Sequence, residues 1–306
     1  MAVSVFPIYL VFLLMAAVSP ASPPAPLVSP FLHSVAGLVV RSDHTVNVAV
    51  PPINKLLVKA RILQQAGPTE GPMALIPGGK LTACDRFAKN GKCEDFQLKP
   101  YLIDTMEVST AQFASCIKAG VCTDKQFTNY TRSDFCNLGG PNRSHHPVNC
   151  VSFFAARQYC AWVGKRLPTL REWQFAARGE TKYKFPWGDD EPDCDRASFH
   201  GKKGRGCGAN FTSPVDSHAD HLSPLGLWNM AGNVMEWTAG MADLPDDDPE
   251  GKEIPIDENP RTKRFQMGGS FADEPHVMGV DYICFDSAKS KTIALGIRCA
   301  KDVAER

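Results

Sequence analysis

Residues 146–179, HPVNCVSFFAARQYCAWVGKRLPTLREWQFAARG, decide how this chain is read. Ser152 stands before a run with Phe154, Ala155, Gln158, Tyr159 and Trp162 at helical spacing, and Gly164 ends it, so a first helix is expected here. Thr169-Leu-Arg-Glu172 has capping-box spacing: the threonine oxygen accepts from the amide three residues on, and the glutamate reaches back. A second helix follows and stops at Gly179. Beyond it come FPWGDD (185–190), SPLGLWNMAGNVMEWT (223–238) and RFQMGGSF (264–271), tryptophan-rich and punctuated by glycine.

Upstream, MALIPGG predicts a short strand ended by a glycine turn. PYLIDTMEVST predicts another strand leading into a helix over AQFASCIKAG, capped by Ser109 or Thr110. Downstream of Gly179 few apolar runs are long, so the remaining body is expected to be mostly turns that need staples other than a regular sheet. Residues 20–52 are rich in Pro, Ser and Val and read as a linker or pro-segment. Residues 53–65 place Ile53, Leu56, Leu57, Ala60 and Leu63 on one face of a short helix, for docking or for a partner. DLPDDDPE (243–250) reads as a solvated loop.

The chain has 306 residues, 43% hydrophobic and 22% charged, which suits one large globular domain with an appendage. Its 33 basic and 33 acidic residues cancel, which argues against nucleic acid or an anionic membrane as an obligate partner. Phe6 to Val18 form an apolar stretch shorter than the ~20 residues of a membrane span, with small residues at 19–22. They read as a secretory signal over 1–21 despite lacking a basic start, with no membrane span left after its removal; an uncleaved anchor is the alternative. Residues 22–71 are then the linker with its short helix, and 72–303 the folded domain. Secretion, the periplasm or a secretory lumen is the expected location.

All eleven cysteines lie outside the signal. In an oxidising compartment that reads as disulfides, and no spacing is as tight as a zinc C-x2-C pair. Local spacing suggests Cys84–Cys93, Cys116–Cys122, Cys136–Cys150 and Cys194–Cys207. The odd count leaves at least one thiol. His218 and His221 with Asp216 and Asp220 make a metal conceivable, though an exposed turn explains them better. Three N-x-S/T sequons stand at Asn129, Asn142 and Asn210.

In order, IPGG, EVSTAQF, HPVNCVSFFAARQYCAWVGKRLPT, REWQFAARG, PWGDD, PLGLWNMAGNVMEWT, GGSF and LGIRCA cover residues 72–303, and together they resemble the formylglycine-generating enzyme, or sulfatase-modifying factor, family. The resemblance implies an α+β, C-type-lectin-like fold with low regular secondary structure, a small twisted sheet, two helices and long ordered loops, stabilised by disulfides. It implies a bridge between Cys160 and Cys299. The family's second long-range disulfide starts where this chain has Ala177, which leaves Cys284 as the expected thiol. It also implies structural calcium held by Asn229, Gly232, Val234 and Glu236, the side chains through oxygens and the other two through carbonyls. The family's other calcium site is matched less well, with Ser198 where asparagine is expected.

The resemblance further implies a groove beside Ser270. In the active enzymes two cysteines after GGS bind copper(I) and oxidise a substrate cysteine; Asp273 and Met278 stand at those positions here. A carboxylate and a thioether supply no dithiolate, so copper is not expected. The leading expectation is an exported family domain acting as a binding module or non-catalytic modulator, with an unidentified protein or small molecule as partner. The alternative is an oxidoreductase using other residues of the same groove, with His276 as an acid–base candidate. Formylglycine generation with Cys284 alone is disfavoured.

Overall fold

A computed structural model of the protein describes residues 39–40, 46–47, 70–85, 92–124, 135–241 and 262–303. The expected signal, most of the expected linker with the helix read over 53–65, the acidic stretch 243–250 and the sequon at Asn129 lie outside the described residues. Within residues 22–71, β1 (Val39–Val40) pairs antiparallel with β2 (Val46–Asn47).

Three capped helices sit among short sheets. In α1 (Thr110–Lys118) the Ser109 hydroxyl accepts from the Gln112 amide and the Gln112 side chain accepts from the Ser109 amide, a complete capping box. α2 (Phe153–Trp162) is capped by Ser152 and gives way at Gly164, whose φ of +69° suits glycine. Its buried face is Phe153, Ala155, Ala156, Tyr159 and Cys160, whereas Gln158 is exposed, so the apolar stripe is rotated from the one expected. α3 (Leu170–Arg178) has the Thr169–Glu172 box in both directions and stops at Gly179, as its sequence predicts.

Every residue of α3 is buried, charged ones included. That is tolerable only because each charge has a partner. Arg171 pairs with Asp85, Arg178 holds both oxygens of Asp281 at 2.8 Å, and Glu172 is held by Arg166 at 2.7 and 2.8 Å. The apolar face of α3, with Leu170, Trp173, Phe175 and Ala176, packs against Ile76, Leu81, Tyr101, Ile103 and Met267. A second core, around Phe113, Tyr159, Trp237 and Ile297, lies where α1 and α2 meet.

β3 (Met73–Ile76) pairs antiparallel with β6 (Tyr101–Asp104), which pairs with the C-terminal β11 (Ala300–Asp302). The two ends of the domain thereby share one sheet. β4 (Gly79–Ala83) and β5 (Glu94–Leu98) form a separate antiparallel pair, stapled just beyond its end by Cys84–Cys93. The segment expected to lack a regular sheet contains one. β7 (Met235–Met241) lies between a parallel β10 (Leu295–Gly296) and an antiparallel β8 (Lys263–Met267), and β9 (Cys284–Ser287) forms the edge. Residues 235–238 of β7 and 264–267 of β8 are buried throughout, so neither strand shows the apolar–polar alternation that marks a half-exposed strand.

All four disulfides suggested by spacing are present, with Cys160–Cys299 from the family resemblance as the fifth. Cys160–Cys299 closes a loop of 139 residues and ties α2 to the C-terminal strand, worth about 4–5 kcal/mol in the chain-entropy account. Cys284 is the one cysteine outside a bridge. Among the described residues no helix is long and apolar enough to cross a membrane.

Candidate functional site

β8 runs into Gly268, Gly269 and Ser270. Both glycines have positive φ, +95° and +68°, and neither has room for a side chain: a Cβ on Gly268 would sit 3.0 Å from Trp173, and one on Gly269 would sit 2.9 Å from the Met278 side chain. Ser270 is fully buried and donates to the Asp273 carboxylate at 2.5 Å, while accepting from the Ala272 amide. The His200 amide donates to the Asp273 carbonyl at 2.8 Å. Burial pushes the Asp273 carboxyl above its ordinary range, opposed by the Ser270 donors and then by His276 and His200.

From Asp273 a 3-10 turn, Pro275–Met278, carries the chain back under the glycines. Met278 ends there with no exposed surface, packed with Phe185, Ala197, Phe199 and Ala231. His276 stays exposed, edge-on to Tyr282 with centroids 5.6 Å apart and 3.8 Å from Glu274. Ser270, Asp273 and His276 thus share one short segment, but only Asp273 and His276 reach the surface.

Behind this segment lies a charged interior. Glu107, 2% exposed, accepts from the side-chain amides of Asn229 at 2.9 Å and Asn233 at 2.8 Å. Asn233 also accepts from the Ser213 amide, and both asparagines adopt positive φ, which this residue type tolerates. Burial raises the Glu107 carboxyl to about 7; Arg298 opposes the rise and Glu236 adds to it. Glu236 accepts from Arg298 Nε at 3.0 and 2.9 Å, from Arg298 Nη2 at 2.8 Å and from Trp173 Nε1 at 2.6 Å. Neither Glu107 nor Arg298 stood out in the sequence: each lies amid apolar neighbours, and its partners are far along the chain.

Of the expected calcium ligands, Asn229, Gly232 and Val234 fall in the turn leading into β7 and Glu236 lies on β7 itself. A carboxylate offers about four lone-pair positions, and those of Glu236 are taken by Arg298 and Trp173. In this arrangement Glu236 does not fit as a calcium ligand without displacing the guanidinium, which leaves the amide oxygen of Asn229 and the two carbonyls as hard donors. Ser198, at the other site suggested by the family, is buried with no partner for its hydroxyl among the described residues. His218 caps the 3-10 turn Ala219–His221 and His221 ends it; His218 Nδ1 lies 2.9 Å from the Asp195 carbonyl. Among the described residues no group of three or more His, Cys, Asp or Glu could hold a metal ion.

The sulfatase-modifying factor enzyme 1-like domain matches residues 59–303. A formylglycine-generating enzyme of Streptomyces coelicolor is 28% identical over 288 residues, 76% of this chain and 90% of that protein. The inactive C-alpha-formylglycine-generating enzyme 2 of Bos taurus is 42% identical over 107 residues, 33% of this chain and 35% of that protein. Among solved structures, PvdO from Pseudomonas aeruginosa superposes with a TM-score of 0.57 at 21% identity, covering 78% of this chain and all of that one, a likeness of fold alone. With the family pattern spanning residues 59–303, most of the chain, the chain belongs to the sulfatase-modifying-factor family.

Proposed function

We propose that this protein is an exported member of its family that does not generate formylglycine, and that it works as a binding module or non-catalytic modulator. The observation that carries this reading is the cysteine inventory. Ten of the eleven cysteines are joined in five disulfides, no cysteine stands in residues 271–283 after Gly268-Gly269-Ser270, and Cys284 alone lies outside a bridge. A linear copper(I) dithiolate needs two thiolates side by side, and thiol–disulfide exchange needs an attacking thiolate within reach. Asp273 and Met278, read as the positions of the catalytic pair, supply neither, and Met278 serves as core.

Five disulfides suit an oxidising compartment, which supports export. A rival reading rests on Asp273, whose raised carboxyl with His276 and His200 nearby could serve acid–base chemistry in an oxidoreductase. Copper(I) titration against a chromophoric chelator tests the leading reading. The protein should compete no better than a single thiol allows, and Asp273→Cys with Met278→Cys should gain affinity that neither change gives alone. A dithiolate-strength copper(I) site in the unaltered protein would contradict it.

A further inference from the structure

Residues 200–208, HGKKGRGCG, place Lys202, Lys203 and Arg205 within four positions of one another. All three are exposed, and among the described residues none takes part in an ion pair. The loop is built to hold its shape. Gly201 and Gly204 exchange backbone hydrogen bonds at 3.2 and 2.9 Å, so the two lysines form the tip of a tight turn. Gly206 has φ of +55°, and a Cβ there would lie 2.1 Å from the Phe211 carbonyl oxygen, so only glycine fits. Its amide donates to the Phe271 carbonyl at 2.7 Å, and Cys207 is bound to Cys194.

The positive surface continues past the turn. Phe135 and Phe211 pack with centroids 5.7 Å apart. The Arg205 guanidinium lies 5.7 Å from the Phe135 centroid, and the Arg143 guanidinium 3.8 Å from that of Phe211. The nearby acids do not cancel this charge. Five cations, Arg143, Arg196, Lys202, Lys203 and Arg205, stand against Asp190 and Asp193, which share Arg196, and Asp195, exposed at the base of the loop beside Cys194. Asp273, whose carbonyl takes the His200 amide, is pushed toward its neutral form by burial.

We propose that this stapled loop, Lys202, Lys203 and Arg205 with Arg143 beside them, is a binding site for a sulfated polysaccharide. Closely spaced cations on a rigid turn attract a polyanion at little ordering cost, and guanidinium groups recognise sulfate-like oxyanions through paired donors. Five disulfides suit an oxidising compartment, away from the nucleic acids of the cytosol, which favours an anionic glycan over DNA or RNA as the polyanion. The inference is independent of whether the Ser270–Asp273 segment catalyses anything.

The test is binding of a heparin-derived octasaccharide to the full chain by calorimetry, with its de-sulfated counterpart, single-stranded DNA of equal charge and phosphatidylserine vesicles as the other arms. The sulfated octasaccharide should bind most tightly, and its affinity should fall steeply with salt. Changing Lys202, Lys203 and Arg205 together to Ala should weaken binding at least tenfold and lower the log–log salt slope by about two to three, since each cation lost releases about one counterion fewer. Lys202→Arg with Lys203→Arg should bind within twofold of the parent. The melting temperatures of both variants report that the fold is kept. Triple-variant binding within twofold of the parent would overturn the site, and equal or tighter binding of DNA or vesicles would overturn the sulfated-glycan assignment.

Discussion

Arg298 and Glu236, 62 residues apart, form an ion pair with side chains 0% and 1% exposed. Arg298 also donates to the carbonyls of Asp104 at 2.9 Å and Trp228 at 2.8 Å, so one guanidinium joins β6, the turn before β7 and β7 itself. A pair this deep is costly to desolvate and costlier to break, because the partner left behind is a buried charge. Arg298→Met should therefore destabilise the domain by about 3–5 kcal/mol in chemical denaturation. Arg298→Met with Glu236→Leu should recover part of that loss. Recovery stays partial, because the two carbonyls still lose their donor. A single Arg298→Met variant as stable as the parent would contradict the assignment.

Glu107 makes stability depend on pH. Its carboxyl titrates near 7 in the folded protein against an ordinary 4.5, chiefly because it is buried. Between those values the folded state holds a proton that the unfolded chain releases, so stability falls as pH rises from about 4.5 to 7 and the loss is complete above. The full effect is on the order of 3 kcal/mol. Glu107→Gln should flatten the curve of stability against pH in that window. A variant that keeps the parent slope would place the pH dependence elsewhere.

Calcium at the Asn229 turn is a proposal that rests on family resemblance, with the amide oxygen of Asn229 and the carbonyls of Gly232 and Val234 as the available donors. An ion that binds only the folded state stabilises it by mass action. Chelator should therefore lower the thermal midpoint by a few degrees, and added calcium, but not magnesium, should restore it. Unchanged melting in chelator would mean that calcium is not bound.

What the sequence makes legible is local. Ser109 with Gln112 and Thr169 with Glu172 each sit three residues apart, so the capping boxes can be read directly. The four short disulfides follow from nearest-neighbour spacing, whereas Cys160–Cys299 is legible only through family resemblance. The sheet of β7, β8 and β9 was missed because burial on both faces erases alternation and because its pairing skips residues 242–262. Glu107 meets its asparagines across 122 and 126 residues, a relationship without a periodic signal. The basic run at 202–205 is invisible in the overall charge, since a net charge of zero says nothing about local clustering.

We infer that a family fold persists here without the family's thiol chemistry. The direct measurement is incubation of the full protein with copper(I), oxygen and a peptide carrying a Cys-x-Pro-x-Arg motif, followed by mass spectrometry of the peptide. Conversion of the cysteine thiol to the formylglycine aldehyde would register as a fixed mass loss. The peptide mass should not change, because Asp273 and Met278 provide no second thiolate for copper and no thiol to hold the substrate cysteine. Multiple-turnover conversion by the unaltered protein would contradict it.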